Sequence, residues 1–149
     1  MVIINNEKLD TSLIRQGRIL GLDVGKKTVG IAISDVSFII ASPLEVIHRT
    51  NFNADSKRII EIIEEFLIAG LIIGLPIQMD GKEGARCQST RAFTNKLRKF
   101  INLPMMFWDE RLSTKAVERM LIRDVDMTRK RRQKLIDKLA AAYILQGFL

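Results

Sequence analysis

The sequence predicts one α/β domain in which a mixed five-stranded sheet is flanked by helices. The 149 residues suit a single domain, and a hydrophobic share of 47% is enough to fill one core. Three strand-like segments follow one another near the start of the chain. Short apolar runs then alternate with segments of helical period, which is the pattern of right-handed βαβ crossovers. Together these observations predict an antiparallel meander extended by parallel strands.

The meander follows a polar N-terminal arm, residues 1–16. Residues 18–24 (RILGLDV) and 29–34 (VGIAIS) are rich in aliphatic side chains and are joined by the polar turn GKKT, which predicts a β-hairpin. Residues 44–48 form a third strand candidate after the Ser42-Pro43 break. The main domain is therefore expected to span residues 17–149.

The second half of the chain supplies the crossovers. Apolar residues at helical spacing predict a helix over 54–69, with Asn53 or Asp55 as its N-cap and Gly70 as its end. The run LIIGL, ended by Pro76, is typical of a strand buried on both faces. The remaining expected elements are a polar loop at 78–84, a helix at 85–101, a strand at 104–108, a helix at 114–122 capped by Ser113, and a last helix at 129–149.

The composition excludes several kinds of chemistry. The chain has one cysteine, Cys87, and one histidine, His48, so an internal disulfide, a Cys/His zinc site and a Ser-His-Asp or Cys-His relay are not expected. Apolar runs fall far short of the roughly 20 residues of a membrane helix, and the arm is too polar for a secretory signal. We therefore expect a protein of the reducing cytoplasm that works with carboxylates, hydroxyls or bases.

The net charge of +7 is concentrated near the C-terminus. Residues 1–110 carry 14 basic and 13 acidic side chains, whereas residues 111–149 carry 10 and 4. A one-sided basic surface favours a polyanionic partner, with nucleic acid ahead of an anionic membrane. A solvated helix face that aids solubility is the alternative. The last helix is apolar nearly all round after Leu135, which is typical of burial in the domain rather than of a membrane surface.

Asp23 lies near the end of an otherwise apolar strand. A charge at such a position is costly unless it is paired or coordinates a cation. The neighbouring glycines would allow a ligand to approach the backbone, and Lys26, Lys27 and Thr28 lie at the same strand end. The alternative is that Asp23 only accepts hydrogen bonds from the hairpin turn.

Two further acidic positions stand out. Asp109, Glu110 and Arg111 directly follow the fifth strand, where the carboxyl ends of strands line the ligand crevice of an α/β sheet. These acids could instead complement the dipole of the next helix. Asp137 has Ala140, Ala141 and Ile144 as its helical neighbours, so it should face the sheet. Its alternative role is to balance Lys134 or Lys138.

The three acids together favour a hard-metal site. Clustered carboxylates repel one another and raise their pKa values, whereas Mg²⁺ supplies the missing charge and prefers oxygen ligands. Two such ions would activate a water and stabilise the leaving oxygen in phosphodiester hydrolysis, without His or Cys. The basic last quarter of the chain would hold the polyanion.

Four segments carry a family resemblance: GRILGLDVGKKTVGIAISD, IIGLPIQMDGKEG, DERLST and KLIDKLAAAYILQ. They resemble the YqgF family, also called RuvX, over residues 17–149. The resemblance implies a ribonuclease H-like fold related to Holliday-junction resolvases. It also implies that Asp23, Glu110 and Asp137 are the catalytic and metal-binding acids, with Mg²⁺ or Mn²⁺ as cofactor.

The resemblance further implies an endonuclease that matures the 5′ end of 16S pre-rRNA in the bacterial cytoplasm, acting on RNA or on pre-ribosomal particles, as a monomer or homodimer. One departure from the junction resolvases argues against cleavage of four-way DNA. In those enzymes an essential acid ends the fourth strand, whereas here that strand ends Gly74-Leu75-Pro76. The acid here is Glu110, one strand later. Contacts with nucleic acid are predicted for Lys26, Lys27, Arg111, Arg129, Lys130, Arg131, Arg132 and Lys134.

Three other readings remain open. The chain could be a nuclease of branched DNA, or a non-catalytic RNA-binding factor in ribosome assembly. The Asp23-Val24-Gly25 segment with Gly30 also resembles the first phosphate loop of actin-like ATPases, but those enzymes need two such domains around a nucleotide.

Overall fold

The computed structural model describes residues 3–5, 17–110 and 128–149. Arg111 and the helix predicted at 114–122 lie outside these ranges. Nine elements occur in the described part. The strands are β1 (Ile3–Asn5), β2 (Arg18–Val24), β3 (Thr28–Ser34), β4 (Ala41–His48), β5 (Ile68–Leu75) and β6 (Met105–Asp109), and the helices are α1 (Phe52–Glu65), α2 (Ala85–Leu97) and α3 (Arg129–Phe148).

The sheet is mixed and has the order β1-β6-β5-β2-β3-β4. Strands β2, β3 and β4 form the predicted antiparallel meander, and β2, β5 and β6 are parallel neighbours. The five predicted strands are confirmed. Residues 3–5 of the predicted arm add a sixth strand, which pairs in parallel with β6 so that Ile4 lies opposite Met106. Three residues are too short for strand periodicity to be recognised in a sequence.

The two faces of the sheet have separate cores. Leu20, Leu22 and Val24 of β2 belong to the core that includes residues of α1 and α2, whereas Ile19 belongs to the core under α3. This alternation is the ordinary period of a strand. No helix in the described ranges is long and apolar enough to cross a membrane.

The start and end of α1 differ from the sequence prediction. Its N-cap is Asn51, whose Oδ1 accepts a hydrogen bond from Ala54 N at 2.9 Å, and the predicted caps Asn53 and Asp55 lie inside the helix. The helix ends at Glu65, and Gly70 lies within β5 instead of ending the helix. Asp55 was misassigned because its carboxylate is buried and serves a different contact, an ion pair with Arg49 at 3.8 Å.

Glycines on three adjacent strands allow α3 to lie close to the sheet. A Cβ at Gly21 would be 2.8 Å from Leu145 Cβ, and one at Gly30 would be 2.8 Å from the carbonyl oxygen of Asp137. A Cβ at Gly74 would be 2.5 Å from Ile144 Cδ1. Gly21 and Gly30 therefore make room for a helix. For Gly21, which neighbours Asp23, the sequence had suggested the approach of a ligand instead.

Replacing Gly21 by Ala should destabilise the domain by about 1–3 kcal/mol, because the new methyl group overlaps α3. Urea unfolding measures the change. Gly147→Ala is the matched control: a Cβ there would lie 3.1 Å from Trp108 Nε1, against 2.8 Å from Leu145 at Gly21, and Ala favours the helix, so its loss of stability should be clearly smaller. Equal stability of the two variants would contradict this account of helix packing.

Candidate active site

The parallel strands bring the candidate acids to one edge of the sheet. Asp23 is the next-to-last residue of β2, and Glu110 directly follows β6. Its backbone N–H donates to the carbonyl of Leu75, the last residue of β5, at 3.3 Å. By strand alternation Asp23 faces α3, because Leu22 and Val24 face the opposite core. The acids therefore meet beneath α3, as the sequence predicted.

An open cleft of about 540 Å³ lies at this edge. It brings together all three predicted acids and two of the predicted phosphate-binding lysines. It also contains residues to which the sequence assigned no site role. The lining residues are Asp23, Gly25, Lys26, Lys27, Thr28, His48, Arg86, Glu110, Gln133, Ile136, Asp137 and Ala140.

Asp23 and Glu110 form a coupled pair of carboxyl groups. Glu110 is only 7% exposed, and its pKa is raised to about 8, first by burial and then by the negative charge of Asp23. Burial also raises the pKa of Asp23. The hydrogen bond between the two groups lowers the pKa of Asp23 and raises that of Glu110. At neutral pH Glu110 is therefore mostly protonated.

Asp137 lies in the same cleft but is held by a residue of its own helix. Gln133 Nε2 donates to Asp137 Oδ1 at 3.0 Å, and the charge of Asp137 further raises the pKa of Asp23. As predicted, Asp137 is on the helix face that carries the buried Ala140 and Ala141. Within the described ranges no three His, Cys, Asp or Glu side chains are grouped closely enough to form a complete metal-ligand set.

Gly74 explains how an acid from β6 reaches a position above β5. The Oε2 atom of Glu110 lies where a Cβ of residue 74 would be, so any larger residue would displace the carboxylate. This Oε2 is buried and has no hydrogen-bond partner among the described residues. An unsatisfied buried oxygen beside a second carboxyl group is typical of a site that binds a cation or a proton donor.

Arg86 is the main residue that the sequence analysis missed. It is the second residue of α2, lines the cleft, and lowers the pKa of both Asp23 and Glu110 through its positive charge. The available signal was its place just after the loop that follows β5, since that loop begins at the same sheet edge. The sequence predicted a helix at 85–101 and gave Arg86 no individual role.

The hairpin turn that carries Lys26 and Lys27 is fixed by Arg49. Gly25 N donates to Thr28 O at 2.8 Å within the turn. Arg49 donates from Nη1 to Gly25 O at 2.6 Å and from its backbone N to Lys27 O at 2.8 Å. The guanidinium also lies 5.2 Å from the centre of the Phe93 ring. The two lysines are thus exposed on a turn of defined shape at the cleft.

The predicted basic residues of α3 extend from the cleft along the first turns of the helix. Thr128 caps α3 by accepting from Arg131 N at 3.3 Å, and the first turn contains no acid. Cations at a helix N-terminus oppose the helix dipole, so they indicate a role other than helix stability. Arg129, Lys130, Arg131 and Lys134 are exposed, Arg132 is half-buried, and Arg111 is outside the described residues.

The fold is that of ribonuclease H-like nucleases. The described architecture superposes on Thermus thermophilus RuvC in complex with a Holliday junction substrate with a TM-score of 0.51, covering 89% of this chain and 93% of that one at 14% identity. It superposes equally on the human cytomegalovirus terminase nuclease domain, with a TM-score of 0.51 and coverage of 89% and 83% at 10% identity. These likenesses confirm the predicted fold class.

The chain belongs to the RuvX family. The family model, described as a Holliday junction resolvase, matches residues 17–149. A protein of Paramagnetospirillum magneticum named "Putative pre-16S rRNA nuclease" is 49% identical over all of this chain and 96% of its own length. A protein of the same name from Paracoccus denitrificans is 50% identical over all of this chain and 94% of its own. The predicted family is confirmed.

Proposed function

We propose that this protein is a metal-dependent endonuclease that hydrolyses a phosphodiester bond near the 5′ end of 16S pre-rRNA. The observation that carries the proposal is the pair formed by the half-buried Asp23 and the buried Glu110, two neighbouring carboxyl groups in an open cleft bordered by lysines. The names of the relatives support an rRNA substrate.

The donor set suits a divalent cation. Glu110 Oε2 is an unpartnered buried oxygen, Asp23 lies beside it, and oxygen ligands are what Mg²⁺ and Mn²⁺ prefer. Asp23 and Glu110 would hold the ion, and Asp137 would join them by releasing Gln133. When bound, such an ion lowers the pKa of a water and stabilises the leaving oxygen.

The chain's own residues would position the substrate. Lys26 and Lys27, on the turn fixed by Arg49, and Arg86 on the opposite side of the cleft would hold the phosphate. The N-terminal turns of α3 would bind the neighbouring backbone of the nucleic acid, since such contacts position a strand without reading its sequence. Arg111, which lies outside the described residues, is also proposed to contact a phosphate. Work on rRNA precursors or pre-ribosomal particles would place the protein in the cytoplasm.

Branched DNA is the second candidate substrate, because the family model carries the description of a Holliday junction resolvase. In this chain the acid that reaches the cleft directly follows β6 and lies over Gly74 of β5. In the resolvases the corresponding acid is expected at the end of the strand that is equivalent to β5. We therefore favour RNA over a four-way junction.

A cleavage assay tests the proposal. Labelled RNA spanning the 5′ end of the 16S precursor and a four-way DNA junction would be incubated with the protein in Mg²⁺, Mn²⁺ or EDTA. We expect cleavage of the RNA that requires the metal. Cleavage of the junction alone would establish a resolvase instead, and binding of RNA without cleavage of either substrate would favour a non-catalytic assembly factor.

Binding of RNA should weaken steeply with salt, and Lys130→Ala combined with Arg131→Ala should reduce that dependence. For single-stranded RNA, losing two phosphate contacts lowers the slope of log K against log salt by about 1.4.

The same double variant should unfold at an equal or higher urea concentration, because two cations leave a helix N-terminus. The control is Lys57→Ala on α1, an exposed lysine on the opposite face. An unchanged slope would contradict the proposed contacts between α3 and the phosphates of the RNA.

A further inference from the structure

A second opening, of about 370 Å³, lies between β4 and α3. It is lined by Leu44, Glu45, Val46 and His48 of β4 and by Lys134, Asp137 and Lys138 of α3. We call it the β4–α3 groove. His48 and Asp137 also line the cleft that holds the acids, so the groove opens directly into the candidate active site.

The α3 side of the groove is cationic. Lys134 and Lys138 are four residues apart, and residues at this spacing lie on one face of a helix. Both are exposed, and neither forms an ion pair with another described residue. Their charges are therefore available to a ligand.

The β4 side of the groove is apolar and carries no uncompensated negative charge. Val46 is half-buried and presents aliphatic surface, whereas Leu44, also half-buried, packs against the core on the α1 and α2 side of the sheet. The carboxylate of Glu45 is bound by Arg58 from α1, with Arg58 Nη2 2.7 Å from Oε1 and Nε 2.9 Å from Oε2. This bidentate ion pair lowers the pKa of Glu45 and compensates its charge. An anion in the groove thus meets two lysines without an ion pair to another described residue and the neutralised Glu45, while Asp137 lies at the end of the groove that is shared with the cleft.

We propose that the β4–α3 groove binds the nucleotide next to the scissile phosphate. The base would pack on Val46, the phosphate would lie near Lys134 and Lys138, and His48 would contact the backbone where the groove meets the cleft. This inference rests on the proposed nuclease function and extends it. It assigns a role to His48, which composition alone left without one, and it gives the RNA a defined path away from the metal site.

Substrate truncation tests the groove through activity. RNA substrates would be shortened one nucleotide at a time from each side of the cleaved bond. We expect Lys134→Ala combined with Lys138→Ala to lower kcat/KM on the full RNA about tenfold, as for the loss of two charge-assisted contacts. On the substrate that lacks the groove nucleotide, the loss should be clearly smaller than on the full RNA. Lys57→Ala with Lys99→Ala, exposed on the other side of the sheet, is the charge-matched control and should change neither substrate.

Photo-crosslinking tests the same groove without cleavage. Benzoylphenylalanine at position 46, in a protein that also carries Asp23→Asn, should crosslink to the nucleotide adjoining the scissile phosphate. Crosslinks only to distant nucleotides, or none while the RNA is bound, would overturn the groove and leave the nuclease proposal intact. An equal loss on full and shortened RNA in the lysine variant would also overturn it. A failure of RNA to bind at all would overturn both proposals.

Discussion

Asp23→Asn should abolish metal-dependent cleavage, with a fall in kcat of about 10³-fold or more, as is common when a group that stabilises charge in the transition state is lost. Asparagine preserves the shape of the side chain but removes the charge that a cation requires. The measurement is the cleavage rate of the 16S precursor RNA in Mg²⁺ and in Mn²⁺.

The fold of this variant should be intact, because asparagine removes a charge that burial and the nearby Asp137 disfavour. Its urea midpoint in EDTA should equal or exceed that of the wild type. Asp35→Asn is the matched control: Asp35 accepts from Ile39 N and Ile40 N in the β3–β4 loop, outside the cleft, and Asn retains an accepting oxygen. Full activity of Asp23→Asn would contradict the assignment of the site.

Glu110→Gln should have opposite effects on activity and on stability. Cleavage should fall about 10²-fold or more, since a ligand of the cation is lost. Without metal, the variant should be more stable than the wild type at alkaline pH. The pKa of Glu110 is about 8 in the folded protein against 4.5 for the free side chain, so the folded state binds more protons between these values.

The sign of the pH dependence follows from that excess of bound protons. The contribution of Glu110 to the free energy of unfolding is complete below about pH 4.5 and is lost as the pH rises to about 8, a change on the order of a few kcal/mol. Gln carries no proton to lose, so its stability should lack this decline. Urea unfolding in EDTA from pH 5.5 to 8.5 measures both curves. The exposed Glu61→Gln is the control, and parallel curves for wild type and Glu110→Gln would contradict the proton held by Glu110.

The strands and the acids could be predicted from the sequence because local patterns encode them. The alternation of residues 18–24 and 29–34 predicts the hairpin, and the small neighbours of Asp137 predict the face it presents. The confirmed meander and crossovers then bring the carboxyl ends of parallel strands to one edge, so that the placement of Asp23 and Glu110 follows from topology.

The finer geometry of the site depends on contacts between residues distant in the sequence. The place of Arg86 just after the loop that follows β5 is a weak signal, and its effect on Asp23 becomes visible only when α2 and β2 are seen together. The sequence gives no signal at Gly74, yet a Cβ at this position would collide with the carboxylate of Glu110. Gly21 under α3 was misinterpreted for the same reason: a sequence does not say which element will approach it.

The central claim is that a divalent cation bound by Asp23 and Glu110 replaces the proton that Glu110 holds. Calorimetric titration of Mn²⁺ at pH 7, in buffers that differ in ionisation enthalpy, counts the protons released on binding. With a pKa of about 8, Glu110 is mostly protonated at this pH. The account predicts release of close to one proton per binding event by the wild type and none by Glu110→Gln. Binding of Mn²⁺ to the wild type with no proton release would contradict it.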